Sequence, residues 1–386
     1  MAEPGLILAI DGGNSKTDVA LVAENGTLLA SLRGPGASQE KYGIDGAMRI
    51  LDELVREVAE KAGVVPGYAA DGDRPRESDR PRDSDHPWNG DHPRDSDCPR
   101  NGDHPRDGGP PGTGRVARHT SACLAGADLP EEESALTAAL LGQGWSESAI
   151  AMNDTFAVLR AGLRPDRGEP SWGVAVTCGA GINCVAVGPD GQVARYLALG
   201  SLTGDWGGGG SLSSETVWHA VRAEDGRGPE TALRPAVAEY FGFGRVTDIA
   251  VAEHKGQLSH GDLLPLTRVL FTVADAGDAV ARAILARQAE EICVMTVAAM
   301  RRIGLRPDGT PLVLGGGVLA ARNDLLLGMI RDRLEAAAPG VLPRVVDAPP
   351  VAGATLLGLD HLGADPAAEN RLRQHFADSD TTTHQP

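Results

Sequence analysis

Short apolar runs open the chain and predict three strands. Leu6–Ile10, Thr17–Val22 and Leu28–Leu32 are each rich in aliphatic residues, and glycine-containing turns separate them. Runs of this length between such turns are typical of hairpins. The next segment, Ile44–Ala62, repeats apolar residues at i, i+3, i+4 and i+7, which predicts an amphipathic helix. The chain therefore begins as a strand meander followed by a helix.

A similar order of elements recurs further along the chain. The predicted strands are Thr120–Gly126, Ala149–Met152, the meander Gly173–Thr177, Ile182–Val187 and Val193–Leu197, and then Leu312–Leu314. The predicted helices are Glu131–Leu141, those at about 211–223, 229–240, 263–273 and 278–303, and then Asn323–Ala338 and Pro350–Leu359. Because a meander followed by helix and strand units occurs twice, we expect an α/β protein of two similar domains with a cleft between them. The domains would span residues 1–153 and 154–362.

Residues 73–108 interrupt this pattern. They form six hexads of the type Asp-Arg-Pro-Arg-Asp-Ser, without a single aliphatic side chain. Such a segment buries too little apolar surface to offset chain entropy, and its regular prolines block helices and strand ladders. We therefore expect a disordered insert over about residues 66–114; metal capture by its histidines is the alternative. The polar residues 363–386 are expected to form a flexible tail.

Composition narrows the class of protein. The net charge of −17 disfavours a nucleic-acid-binding protein, although backbone amides can still hold phosphates locally. No apolar run reaches the ~18 residues of a membrane span, so no membrane association is expected. The N-terminus lacks the pattern of a signal peptide. Five cysteines without C-x-x-C spacing indicate the reduced thiols of a cytoplasmic protein.

Two glycine-rich hairpins are candidate phosphate sites. The first, Gly12-Gly13-Asn14-Ser15-Lys16-Thr17, joins two predicted strands and fits neither the Walker nor the Rossmann motif. Its amides, hydroxyls and lysine suit a phosphate, and Asp11 at the strand end suits magnesium held through water. The alternative is an ordinary turn. The second, Thr177-Cys178-Gly179-Ala180-Gly181, opens the second meander at the matching place, so the two hairpins together would hold a phosphate chain.

Two further glycine loops have a functional and a structural interpretation. In Leu314-Gly315-Gly316-Gly317-Val318, glycines would let an adenine ring lie against the backbone, or would simply form a tight turn. The segment from Gly204 to Gly210 contains Asp205 and Trp206. A charged residue and a tryptophan favour a substrate loop over a flexible linker.

Asp154 is the candidate general base. It lies in the segment Asn153-Asp154-Thr155, at the end of a predicted strand. A carboxylate there could take the proton from an alcohol as the alcohol attacks phosphorus. The alternative is a helix N-cap, and both roles are compatible.

The ordered set of these motifs resembles the BadF/BadG-type ATPase family of the actin/hexokinase/heat-shock-chaperone superfamily, in its N-acetylglucosamine kinase-like branch. The motifs are DGGxSKT, NDT, TxGxGxN, GDWGGGG and LGGGV, and the resemblance covers about residues 5–65 and 115–362. It implies two ribonuclease-H-like (actin-like ATPase) domains, with ATP and Mg²⁺ in the interdomain cleft. It further implies phosphoryl transfer to a sugar hydroxyl, giving the 6-phosphate of N-acetylglucosamine, and a homodimer.

The resemblance also assigns roles at the matching positions. Asp11 would serve the magnesium and Asp154 would be the general base. ATP would be bound by Gly12, Gly13, Asn14, Ser15, Lys16, Thr17, Thr177, Gly179, Ala180, Gly181, Gly316 and Gly317. The sugar would be bound by Ser38, Gln39, Asn153, Asp154, Gly204, Asp205 and Trp206.

Two departures from the family pattern leave the acceptor open. Relatives often place an asparagine where this chain has Gly36-Ala37-Ser38-Gln39, and G-D-E-G-S where it has G-D-W-G-G. Glucosamine, another amino sugar or a cyclitol are the alternative acceptors. An ATPase that activates a partner enzyme is a rival from another class, disfavoured because its cysteine motif is missing. A non-catalytic sugar sensor is disfavoured because Asp11 and Asp154 are both present.

Overall fold

Two five-stranded sheets, each in its own unit, organise the computed structural model, which describes residues 5–65 and 114–382. The strands are β1 Leu6–Gly12, β2 Lys16–Ala23, β3 Leu28–Pro35, β4 His119–Leu124, β5 Ser148–Asn153, β6 Gly173–Cys178, β7 Ile182–Val187, β8 Val193–Arg195, β9 Pro311–Gly315 and β10 Leu342–Val345. The helices are α1 Gln39–Ala62, α2 Pro130–Gly142, α3 Asp154–Gly162, α4 Gly208–Glu224, α5 Leu233–Phe241, α6 Val246–His254, α7 Leu266–Asp275, α8 Ala279–Arg302, α9 Gly317–Ala320, α10 Asp324–Ala337, α11 Pro350–His361 and α12 Pro366–Thr382.

The two sheets share one strand order. It is β3-β2-β1-β4-β5 in the first sheet and β8-β7-β6-β9-β10 in the second. In the first sheet β1 is antiparallel to β2 but parallel to β4, and in the second β6 is parallel to β9. Parallel neighbours require crossover connections, which the intervening helices provide. The prediction of two similar α/β domains is confirmed.

Helices cover both faces of the first sheet. On one face, α1 packs its buried Leu51 and Val55 against Leu8 and Leu21 of the sheet. On the other face, α11 lies against β1, β4 and α3. Two glycines of α11 allow this close approach: a Cβ at Gly353 would lie 1.9 Å from the Ala157 carbonyl oxygen, and one at Gly358 would lie 2.7 Å from Ile7.

The second unit has its own apolar core. Strands β6 and β9 contribute Val174, Val176 and Leu312, and the long helix α8 contributes Leu285 and further buried residues. Helices α4, α5 and α7 pack against one another in the same cluster.

The boundaries of the units differ from the expected division at residues 153 and 154. The first unit comprises Met1–Trp172, Val187–Val193 and Asp347–Pro386, and the second comprises Gly173–Ala186 and Ala194–Val346. Helix α3 therefore stays with the strand that precedes it, because α11 and β4 pack against it.

The expectation of a flexible tail is wrong for residues 366–382, which form α12. The polar composition was misleading because α12 is attached largely through ion pairs. Glu369 binds Arg160 of α3 at 2.8 Å, and Arg160 is only 4% exposed. Leu372 and Phe376 add the apolar contacts.

The expectations about the hexad repeat and about membrane spans can be compared with the structure only within the described residues. The hexad repeat of residues 73–108 lies outside the described residues. None of the helices within residues 5–65 and 114–382 is long and apolar enough to cross a membrane.

Candidate functional site

Three charged residues lie in a row across the first meander. In the strand register Asp11 of β1 is opposite Asp18 of β2, and Asp18 is opposite Arg33 of β3. Nε and Nη2 of Arg33 donate to the two carboxylate oxygens of Asp18 at 2.7 and 2.9 Å. The charge of Asp18 is thereby compensated by a bidentate ion pair.

Asp11 is in a different electrostatic position from Asp18. It is 9% exposed. Burial, reinforced by the negative charges of Asp154 and Asp18, raises the pKa of Asp11 to about 8, although Lys16 and Arg33 act in the opposite direction. A cation next to this carboxylate would relieve the repulsion, so the site fits a magnesium ion held through Asp11.

Asp154 lies where β5 ends and α3 begins. The N-cap of α3 is Asn153, whose Oδ1 accepts from the Thr155 amide at 3.0 Å. The capping role considered for Asp154 therefore belongs to its neighbour. Asp154 is half-buried, and burial raises its pKa, while hydrogen bonds from Thr155 act against this. A carboxylate with a raised pKa at a strand end suits a general base.

The first hairpin presents a polar tip above one buried hydroxyl. Asn14, Ser15 and Lys16 are exposed, and the Gly13 amide donates to the Lys16 carbonyl at 2.8 Å. Thr17 is buried and its Oγ1 has no hydrogen-bond partner. Buried hydroxyls are normally hydrogen-bonded, so this orphaned group fits a ligand such as a phosphate oxygen.

Gly12 has a packing role. A Cβ at Gly12 would lie 2.6 Å from a methyl carbon of Leu124 on β4. The glycine is therefore needed for strand packing, which is a sufficient reason for its presence.

The second hairpin is open at its tip. Ala180 and Gly181 are exposed, and a Cβ at Gly179 or Gly181 would meet nothing within 4 Å. Thr177 carries a buried Oγ1 without a hydrogen-bond partner. This hairpin, like the first, thus combines an accessible backbone with an orphaned hydroxyl.

The run of four glycines forms the N-cap and the first turn of helix α4. Its amides are already used: Gly209 and Gly210 donate to the Gly179 and Ala180 carbonyls at 2.8 Å, and Gly208 donates to Gln288 at 2.9 Å. Gly208 has φ +76°, and a Cβ there would lie 2.1 Å from the Gly181 carbonyl oxygen. The linker interpretation is therefore wrong, because the glycines let α4 contact the second hairpin.

Within the segment predicted to be a substrate loop, Asp205 and Trp206 are the two side chains that could contact a substrate. Asp205 and Trp206 line a cavity within the second unit. Thr203 Oγ1 donates to Asp205 at 2.5 Å, and Gly204, with φ +86°, turns the chain just before it.

The glycines after β9 divide into two kinds. Gly316 has φ +84°, and a Cβ there would lie 2.4 Å from the Cys178 carbonyl group. This glycine permits close packing of the turn on β6. Gly317 opens α9 and has free space at its Cβ position. Gly316 is therefore required for packing, and the prediction that these glycines bind ATP is compatible with the open space at Gly317.

Three of the predicted sugar-binding side chains have internal partners. Ser38 caps α1 by accepting from the Glu40 amide at 3.2 Å. Gln39 donates to the Gly126 carbonyl. Asn153 both caps α3 and donates to Asp128 at 2.8 Å. These contacts give each residue a structural reason for being there.

Sequence reasoning missed Asp18 and Arg33. The signal was available in the hairpin, because pairing Gly12 with Thr17 places Asp18 directly opposite Asp11. A carboxylate in an otherwise apolar strand at that register was an indication of a charged partner.

The cysteines give no support to an iron–sulfur activator. Cys178 and Cys184 are fully buried, and burial raises the pKa of both thiols. In the part of the chain that the structure describes, no three His, Cys, Asp or Glu side chains are grouped to hold a metal ion.

Comparison with known proteins identifies the family. The sequence profile of the BadF/BadG/BcrA/BcrD ATPase family matches residues 8–358. The chain belongs to this family. Its fold, two α/β units of matching topology, is the actin-like ATPase fold. A protein named as a candidate N-acetylglucosamine kinase from Chromobacterium violaceum superimposes with a TM-score of 0.63 at 18% identity, covering 92% of this chain and 99% of that one.

Two curated proteins of similar sequence are named as kinases. The N-acetyl-D-glucosamine kinase of Dictyostelium discoideum is 23% identical over 92% of this chain and 98% of that protein. The N-acetylmuramic acid/N-acetylglucosamine kinase of Clostridium acetobutylicum is 25% identical over 52% of this chain, and that match spans only 64% of the Clostridium protein.

Proposed function

We propose that this protein is an ATP-dependent sugar kinase that phosphorylates a hydroxyl of an amino sugar, N-acetylglucosamine in the first place, to give the 6-phosphate. The observation that carries the proposal is the pair of carboxylates at the ends of β1 and β5, both with raised pKa values. The kinase names of two family relatives support it. Glucosamine, other sugars and cyclitols are the alternative acceptors.

Asp154 would act on the acceptor. Its carboxylate would take the proton of the attacking hydroxyl as that oxygen bonds to the γ-phosphorus and the bond to the β-phosphate oxygen breaks, releasing ADP. Burial raises the pKa of Asp154, which makes its carboxylate a better proton acceptor. Asn153 holds the first turn of α3 and so fixes the position of this carboxylate.

Other residues would hold the nucleotide and the metal. Asp11 would hold Mg²⁺ through water, and the ion would neutralise charge on the phosphoryl group during transfer. Thr17 would donate its unpaired hydroxyl to a phosphate oxygen, and Lys16 would add a positive charge. The open tip of the second hairpin and Gly317 would complete the ATP site.

A coupled assay of ADP release with a panel of amino sugars, hexoses and cyclitols tests the proposal. We expect turnover with N-acetylglucosamine, and a loss of turnover in Asp154→Asn. Asp11→Ala should lower kcat and shift the magnesium dependence to higher concentration, because weaker binding is offset by mass action. Sugar affinity measured by calorimetry without nucleotide should hardly change. If the protein hydrolyses ATP without needing any acceptor, the proposed sugar kinase activity is rejected.

The proposal includes a cytoplasmic homodimer. Cys123, Cys178, Cys184 and Cys293 are free and buried, as expected for a reducing compartment. Light scattering of the purified protein measures the oligomeric state directly.

A further inference from the structure

The cavity beside Asp205 and Trp206 is larger than one sugar requires. Its volume is about 980 Å³. Cavities for drug-sized ligands have about 300–1,000 Å³, and a monosaccharide is smaller than such ligands. If Asp205 and Trp206 contact the acceptor, space remains in the second unit for a further group attached to it.

The charges of one cavity wall are paired with each other. The Arg287 guanidinium lies over the Trp206 ring at 3.9 Å and approaches Glu215 at 3.3 Å. Glu215 in turn lies 3.6 Å from His219, one turn along α4. Because the arginine already has an acidic partner, this wall suits a neutral polar ligand better than an anion.

A second tryptophan is available in the same cavity. Trp218 lines it and is 51% exposed, with Arg222 over its ring at 4.4 Å. The hydroxyls of Ser211 and Ser214 lie in the lining as well. Sugar rings present apolar C–H faces and hydroxyl edges, so flat aromatic rings next to hydroxyl side chains match them.

The loop that forms another wall has an unusual backbone. Ala198 adopts a positive φ of 54°, which is rare for a residue with a side chain, and Gly200 and Gly207 also have positive φ. Ala198, Gly200 and Gly207 all line the cavity. Glycine adopts a positive φ readily, so the strain is at Ala198, and strain at a residue with a side chain is found preferentially at ligand sites.

We propose that this cavity binds a second sugar residue, so that the preferred acceptor is an amino sugar linked to another sugar rather than the free monosaccharide. This inference rests on the proposed kinase function. Arg287, Glu215 and Trp218 would form the additional subsite. A nucleotide base is the competing occupant, because Gly181 of the second hairpin also lines the cavity.

The test compares N-acetylglucosamine with its β-1,4-linked disaccharide as acceptors of the full-length enzyme. We expect kcat/KM to be higher for the disaccharide. Trp218→Ala should lower disaccharide kcat/KM by about three- to tenfold, the contribution of one aromatic contact, and leave the monosaccharide value unchanged. Trp218→Phe should recover part of the loss. Tyr240→Ala is the matched control, since Tyr240 is 48% exposed on α5 and does not line the cavity.

Other results would overturn the inference. One is phosphorylation of the monosaccharide while the disaccharide neither reacts nor competes. Another is a Trp218→Ala variant whose KM for ATP rises equally with both acceptors, which would assign the cavity to the nucleotide. If no acceptor is phosphorylated, the kinase proposal fails. Calorimetric titration of the nucleotide-free protein with the disaccharide then still shows whether the cavity binds sugar. Binding that is weakened by Trp218→Ala supports the subsite, and no binding rejects it.

Discussion

Asp11 and Asp18 face each other across two neighbouring strands, yet their charges are handled in opposite ways. Asp18 receives two hydrogen bonds from Arg33. Asp11 is buried near two other carboxylates, and its pKa rises to about 8. Arg33 thus compensates one carboxylate within the protein, and the other carboxylate is the one that we propose to hold magnesium.

Asp11→Asn should stabilise the nucleotide-free protein at alkaline pH. Because the folded-state pKa of about 8 exceeds the ordinary value of 3.8, stability is fully present below about pH 4 and is lost as pH rises through 8. The variant removes this loss, so its Tm should exceed that of the parent at about pH 9. Thermal melts across this pH range measure the effect, and equal pH slopes would contradict it.

Asp18→Asn is the matched control on the adjacent strand. It removes the bidentate partner of Arg33, so the Tm should fall rather than rise. A stabilised Asp18→Asn variant would show that any loss of negative charge here is favourable, and the distinction between the two aspartates would fail.

Asp154→Asn should lower kcat by about 10²–10⁴-fold, the usual contribution of a general base. The Tm should stay nearly constant because Asn153, not Asp154, caps α3. Asn153→Ala, in contrast, should lower the stability by about 1 kcal/mol of folding free energy, since the cap is lost. Steady-state kinetics and thermal melts of both variants separate the two roles. Near-normal kcat in Asp154→Asn would exclude it as the base.

Gly208→Ala should strongly destabilise the second unit and weaken ATP binding. The new Cβ would lie 2.1 Å from the Gly181 carbonyl oxygen, at a φ of +76°. Either α4 or the second hairpin must move. Gly328→Ala is the control: Gly328 lies within α10 with open space at its Cβ position, so alanine should stabilise by about 0.5–1 kcal/mol. Denaturant unfolding and nucleotide titration test the pair, and similar effects of the two substitutions would argue against the proposed contact.

Glu369→Ala should cost about 1.5–3 kcal/mol of stability, the value of hydrogen bonds to a charged group. Its partner Arg160 is 4% exposed and would keep only Asp360. Glu230→Ala removes an exposed pair with Arg234 and should change stability by less than about 0.5 kcal/mol. Urea unfolding compares the two. A small loss in Glu369→Ala would mean that the pair with Arg160 contributes little and that Arg373 and the apolar side chains hold α12.

The sequence predicted the sheets better than it predicted the loops. Apolar periodicity is a local property, so β1, β2, β6, β7 and their helices were found close to their actual bounds. The function of the four-glycine run depends on contact between Gly208 and Gly181, which no local pattern contains. Helix α12 was missed for a related reason, because its attachment uses Glu369 and Arg373 instead of a continuous apolar stripe. The strand-end positions of Asp11 and Asp154 could be predicted because each carboxylate follows a short apolar run, whereas their roles stay predictions.

Helix α11 has a consequence for biosynthesis. It covers β1 and β4 and contacts α3, but it is translated after the whole of the second unit. At about 5–20 residues per second, roughly 10–40 s separate the emergence of α3 from that of α11. The second unit is synthesised during this interval and is complete at Val346, just before α11 begins, while the apolar surface around Ile7 remains uncovered on the nascent chain. The first unit therefore cannot complete its packing until the second unit has been synthesised.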